Sequence, residues 1–249
     1  MYEETFKIKY HEMGPDGKVP LWALQNYFQE AAGMDAHNLS FGWEELSPQG
    51  VAWILTKMQF VVLKEVDGAR PLKIKTWHCL SDKIQSRRDF VIYDDSGVEV
   101  LKGVSWWLIL DLAKRKIVRS PKELLEKNKD NPAPLMEPVV RKSPSFEGVA
   151  PLTSVPVIAR LEDIDPNDHV NNAHFSAWAI AAAPKEVRQA SRLKELFVNF
   201  KAEVKLDDKI IVNTYPAEEE NTYWHILVRQ EEGGENREIA SVYTAWQAK

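Results

Sequence analysis

Residues 5–10 alternate, with Phe6, Ile8 and Tyr10 apolar against Lys7 and Lys9, and a period of two predicts a half-buried strand. A Gly14-Pro-Asp-Gly17 turn follows. Pro20 then leads a segment in which Leu21, Leu24, Tyr27, Phe28, Ala31 and Ala32 recur at helical spacing, with Gly33 expected to end or bend the helix. Beyond a polar connection at 47–50, strands are predicted at 53–66, 72–80, 87–93 and 98–111, parted by Asp67-Gly68 and Asp94-Asp95-Ser96-Gly97 turns. The texture changes at Pro121. Half of the 14 prolines lie between positions 121 and 156, among Lys, Glu and Asn, which predicts an extended linker over 121–154 with a short helix at 122–129. A strand (155–161), a polar turn, a helix and four more strands (196–206, 209–216, 222–230 and 238–246) complete the chain.

The order strand, helix, four strands thus occurs twice, which predicts an internal duplication of 1–120 and 155–249 around the linker. Setting Tyr10 on Leu161 without gaps puts Pro15 on Pro166, Val19 on Val170 and Ala31-Ala32 on Ala182-Ala183. Further on, Met58-Gln-Phe60 falls on Val198-Asn-Phe200, and Thr76-Trp77 on Thr214-Tyr215. A helix wrapped by an antiparallel sheet of about five strands is a hot-dog unit, so the expected class is α+β, a tandem (double) hot-dog fold.

The densest chemistry sits in the second copy. Asp163, Asp165, Asn167, Asp168, His169, Asn171 and Asn172 precede an apolar run from Phe175 to Ala183 that Pro184 stops. Asn171 or Asn172 suits an N-cap, and the expected helix, 173–183, is apolar nearly all round and therefore buried. Its first turn presents backbone N–H groups at Asn172 and Ala173 beside acids, an amide and an imidazole, an arrangement suited to an oxyanion near a general base. In the alignment above, Asp165, Asn167 and His169 face Gly14, Asp16 and Lys18, and Glu203 faces Leu63. Such asymmetry fits one active site per chain, carried by the second copy. Glu203 is expected on a strand as a semi-buried acid. A turn histidine, a turn-capping Asp165 and a solvent-face Glu203 are the plainer alternatives.

Composition mostly excludes. The net charge of −5 offers no case for nucleic acid, and no apolar run approaches the roughly 18–20 residues of a membrane span. The N-terminus enters a strand pattern with no secretory or transit signature, so a cytoplasmic location is expected. A single cysteine, Cys79, excludes a disulfide framework and a multi-cysteine metal site, and is expected in the core. Asp165, His169 and His174 lack any metal-ligand spacing such as H-E-x-x-H, and no G-x-S-x-G, P-loop or dinucleotide fingerprint occurs, so neither metal nor cofactor is expected.

Asp163-Ile-Asp-Pro-Asn-Asp-His-Val-Asn-Asn172 resembles the D-x-D-x-N-x-H-V-N-N signature of acyl-ACP thioesterases. Trp53-Ile-Leu-Thr-Lys-Met-Gln59, Arg87-Arg88-Asp89 and Ser105-Trp-Trp107 are similar to other segments of that family, and the resemblance spans about 4–248. It implies hydrolysis of fatty acyl-acyl carrier protein, with Asp165, Asn167, His169 and Glu203 as the catalytic set and the first copy, which lacks those side chains, as the candidate acyl pocket. Plant members carry a cysteine directly after that glutamate; here Val204 stands there, so no cysteine nucleophile is available at that position. Acyl carrier protein is acidic, and Arg87, Arg88, Lys114, Arg115, Lys116 and Arg119 are the expected dock, while association into a homodimer stays open. An acyl-CoA thioesterase, a hot-dog dehydratase and a non-catalytic acyl-carrier-binding protein are the competing expectations.

Overall fold

In the computed structural model, which describes residues 1–68, 70–81, 84–231 and 236–249, the chain forms two units, Met1–Pro138 and Val139–Lys249. The N-terminal alternation forms strand β1 (Tyr2–Lys7), which alternates half-buried and exposed positions. Helix α1 (Leu21–Asn38) follows Pro20 and buries Leu21, Leu24, Phe28, Ala31 and Ala32 as the spacing predicts. It runs straight through Gly33, which is exposed with open space where a side chain would lie. The last turns are held from outside the helix, because Asp35 is buried against Arg88 of a neighbouring strand.

A short helix α2 (Trp43–Leu46) leads into β2 (Val51–Val62), β3 (Pro71–Ser81), β4 (Ser86–Tyr93), β5 (Glu99–Asp111) and a small β6 (Lys116–Val118) that pairs with β5. Antiparallel pairing orders the strands β1-β3-β4-β5-β2. Phe28 stacks on Phe60 of β2 and Phe90 of β4, and Gly103 of β5 leaves room for its ring, since a Cβ there would lie 2.6 Å from Phe28 Cε2. Helix α1 is therefore wrapped by its own sheet. The expected linker divides between the units. Helix α3 (Lys122–Lys127) and the segment after it are tied to the first unit, where Leu135 N–H donates to Asp89 and Arg87 donates to the Met136 carbonyl.

The second unit repeats the pattern with β7 (Thr153–Ile158), helix α4 (Asn172–Ala182), helix α5 (Lys185–Ala190), β8 (Ser191–Phe200), β9 (Lys209–Pro216), β10 (Thr222–Gln230) and β11 (Asn236–Ala248). Its order, β8-β11-β10-β9-β7, is that of the first unit with each strand exchanged for its counterpart. The remainder of the expected linker belongs here, with Phe146 stacked on Tyr215 and Arg141 paired to Glu195. Each unit is a hot-dog unit, in agreement with the pattern of the sequence.

The duplication extends to single hydrogen bonds. Leu63 and Lys64 N–H both donate to the Val100 carbonyl, and Lys201 and Ala202 N–H both donate to that of Ile239. Two donors on one acceptor make a bulge, which ends the ladder in each unit. This register matches Leu63 to Lys201 and Glu65 to Glu203, two residues away from the ungapped sequence match.

The second core holds a directed chain of hydrogen bonds. Trp246 Nε1 donates to Thr244 Oγ1 at 3.0 Å, and Thr244 and Thr214 flank the His225 ring nitrogens at 2.9 Å each. Thr214 spends its own proton on the Ala182 carbonyl (3.1 Å), the last carbonyl of α4, so His225 must donate from Nδ1 and accept at Nε2. His225 is wholly buried, and burial pushes its pKa down to about 3. Burial, with Arg88 nearby, likewise lowers His78 of the first unit to about 4. Unfolded histidines bind protons near pH 6.5 while these stay neutral, so stability is complete above about pH 6.5 and falls towards pH 4, by at most about 1.4 kcal/mol per pH unit per histidine. Urea midpoints measured from pH 7 to 4 should fall for the native chain. His225→Gln should start lower and fall less steeply; parallel curves would show that His225 is not a source of the slope.

Candidate active site

The polar stretch before α4 folds as a closed turn. A 3-10 turn at Leu161–Asp163 is closed by Arg160 N–H donating to Asp163 Oδ2 at 2.8 Å. Next, Asp165 N–H donates to the His169 carbonyl (2.8 Å) and Asp168 N–H to the Asp165 carbonyl (3.0 Å). Asp168 takes the left-handed conformation at φ 62°, which a short polar side chain tolerates. Asn167 N–H donates to Asp165 Oδ1 at 2.8 Å, an Asx turn that fixes one carboxylate oxygen. The first unit has the same frame, with Gly14 and Lys18 at the ends and Gly17 at φ 74°. The frame is structural; the side chains differ.

Residue Val170 N–H then donates to the Val204 carbonyl at 2.8 Å, both valines being buried. The residues just before them, His169 and Glu203, come together with Nε2 and Oε2 3.3 Å apart. Glu203 is not on a strand. The bulge at Lys201 and Ala202 has already ended the ladder, and Glu203 lies in the irregular segment after β8, exposed rather than semi-buried. Arg229 props that segment by donating to the Glu203 carbonyl and to Asp208. Asp165 is half-buried and Asn167 exposed on the same closed turn as His169. In the matched register Lys18 replaces His169, but Glu65 keeps an acid opposite Glu203. The asymmetry between the units therefore rests on Asp165, Asn167 and His169, and not on the glutamate.

The oxyanion and docking expectations are corrected in part. Asn171 caps α4, its Oδ1 accepting from Ala173 N–H at 2.9 Å, so that N–H is already committed and Ala173 is not an open oxyanion donor. The Asn172 N–H stands at the first position of α4. Arg87 and Arg88 are buried, at 8% and 7% exposure, and are no docking surface. Arg87 forms a two-point pair with Asp89, and Arg88 holds Asp35 at 2.6 Å, because charges taken out of water require opposite charges. Lys114, Arg115, Lys116 and Arg119 are exposed around the β5–β6 hairpin, with Lys114 bonded to Asp111.

His174, weighed as a metal ligand with Asp165 and His169, turns instead to Asp163, with Nδ1 3.2 Å from Oδ1. Among the described residues, a metal-sized group of side chains occurs in the first unit, where His37 Nδ1 lies 2.8 Å from Glu45 and 4.0 Å from Glu44. Cys79 is half-buried, and burial pushes its thiol up to about 12, so it is no thiolate nucleophile. An open groove of about 570 Å³, lined by Thr5, Lys73, Lys75 and Tyr93 among others, lies in the first unit and holds none of the expected site residues.

Fold and site together define a hot-dog protein with an imidazole–carboxylate pair just before helix α4 of its second unit. The chain belongs to the acyl-ACP thioesterase family: the family's N-terminal domain model matches residues 1–128 and its C-terminal domain model residues 152–248. The chloroplastic acyl-acyl-carrier-protein hydrolase FATB2 of Cuphea viscosissima is 27% identical over 263 residues, covering all of this chain and 63% of the relative. The chain thus spans less than two thirds of the length of that relative. Among solved structures, an acyl-ACP thioesterase from Bacteroides thetaiotaomicron superposes with a TM-score of 0.85 at 20% identity, covering 98% of this chain and 97% of the other. The 12:0-ACP thioesterase from Umbellularia californica gives a TM-score of 0.85 at 20% identity, covering 100% and 97%. These two likenesses establish the fold.

The Asn171 cap is testable by itself. Asn171→Ala should lower stability by about 1 kcal/mol in chemical denaturation, and Asn171→Ser should retain most of it.

Proposed function

We propose that this chain hydrolyses the thioester between a fatty acyl chain and the phosphopantetheine arm of acyl carrier protein, releasing fatty acid and holo-carrier protein. The observation that carries this reading is the His169–Glu203 contact, made on the turn that bears Asp165 and Asn167 in a member of this family. Glu203 is in contact with solvent and so recruits the attacking water, accepting its proton as the oxygen adds to the thioester carbon. His169 holds the carboxylate in line. Asp165, with Oδ1 fixed by Asn167 N–H, offers its other oxygen to the same water, and the Asn167 amide orients the thioester. The N-terminal end of α4 favours the negative charge that develops on the carbonyl oxygen.

The first unit, with Gly14, Asp16 and Lys18 at the matched positions, is the proposed seat of the acyl chain. Each buried CH₂ contributes only about 0.8 kcal/mol, so chain length is discriminated by where such a pocket ends. The exposed Lys114, Arg115, Lys116 and Arg119 remain the proposed contact for an acidic carrier.

Thiol release from palmitoyl-carrier protein and palmitoyl-CoA tests the reading. The carrier-protein ester should be preferred, and Asp165→Ala and Glu203→Ala should each lose on the order of 10²–10⁴ in rate. Turnover near the native level in both variants would remove the assignment. Added salt should raise KM steeply for the carrier-protein substrate and little for a small thioester, since only the former meets a charged surface; equal responses would remove the basic hairpin from docking.

A further inference from the structure

A second imidazole–carboxylate pair is built from the same stretch of chain as His169. Asp163 is buried, with 12% of its side chain exposed, and uses both oxygens: Oδ2 accepts Arg160 N–H at 2.8 Å, and Oδ1 lies 3.2 Å from His174 Nδ1. His174 sits on the first turn of α4 and keeps 32% of its side chain exposed. With Nδ1 turned to Asp163, the other ring nitrogen, Nε2, points away from that carboxylate. The pair is tied to the proposed catalytic turn through the backbone. Asn171 N–H donates to the Asp163 carbonyl (2.8 Å) and His174 N–H to that of Asn171 (3.0 Å), directly after the bond from Val170 to Val204.

The internal repeat supplies a comparison. In the first unit Glu12 closes the matching 3-10 turn, accepting Lys9 N–H at 2.7 Å, so an acid at this position serves the turn in both units. The position of His174 is matched by Ala23, which is buried and carries no polar group. The turn therefore explains Asp163 but not the histidine. Between the two units, that histidine accompanies the unit holding Asp165, Asn167 and His169.

We infer that His174 is a further acid–base residue of the site, which donates a proton from Nε2 to the leaving sulfur while Asp163 holds the imidazolium. This rests on the hydrolase reading above. Water adds its oxygen to the thioester carbon and passes a proton to Glu203. As the tetrahedral intermediate collapses, the C–S bond breaks, its electron pair goes to sulfur, and sulfur takes the Nε2 proton. The proton on Glu203 returns to His174 through solvent, so water and thioester yield one carboxylic acid and one thiol.

The test compares one acyl chain on two leaving groups, pantetheine (an alkyl thiol) and thiophenol (a far more acidic aryl thiol). His174→Gln should slow the pantetheine ester by on the order of 10² and leave the thiophenyl ester within about threefold, because an acidic thiol leaves without a proton donor. Asp163→Asn can still accept Arg160 N–H; it should show the same selective loss, smaller in size, and add nothing further in the double variant. A His174→Gln enzyme that is as fast as the native one, or equally slow on both esters, would overturn the inference alone. Native protein inert to both esters would overturn the hydrolase reading, and this inference with it.

Discussion

One buried hydrogen bond organises the second unit's chemistry. The bond from Val170 N–H to the Val204 carbonyl joins the turn before α4 to the segment leaving β8, and each valine is preceded by a reactive residue. Because both valines are out of water, the bond is not exchanged for a solvent contact, and His169 and Glu203 meet as a consequence. The first unit makes the same bond between Val19 and Val66, where Lys18 reaches Asp67 at 2.6 Å. The scaffold thus does not depend on the site: the backbone frame holds in both units, and they differ in the side chains that it carries.

The surroundings keep that frame in place. Asn171 closes the start of α4, while Thr153 and Thr214 hydroxyls both satisfy the Ala182 carbonyl at its end. Thr214 belongs to the chain that runs through neutral His225 to Thr244 and Trp246, so the helix end is tied to the middle of its own sheet. Fully satisfied networks of this kind specify one arrangement, since any rotation would leave a buried donor or acceptor unpaired. The first unit reaches a comparable result with charge, holding the end of α1 through Asp35 and Arg88.

Periodicity and turn chemistry carried the sequence far. The alternation of β9 and β10, the apolar run of α4 stopped by Pro184, and the duplicated strand order are local properties, set by which residues can share a buried face, and they fixed a double hot-dog fold. The D-x-D-x-N-x-H-V-N-N stretch named the turn and its residues, because an Asx turn, a left-handed position and an N-cap are all short-range features. Tertiary structure decided the rest. The matching bulges after Val62 and Phe200 align the units two residues away from the ungapped match, so that Glu65 and not Leu63 corresponds to Glu203, and they end β8 before Glu203; a bulge depends on the partner strand and leaves no local signature. Burial of Arg87 and Arg88 depends on Asp89 and on Asp35, the latter more than fifty positions away, so a basic pair that reads as surface became core. His174 found Asp163 only because the turn between them closes, which no spacing along the chain could announce.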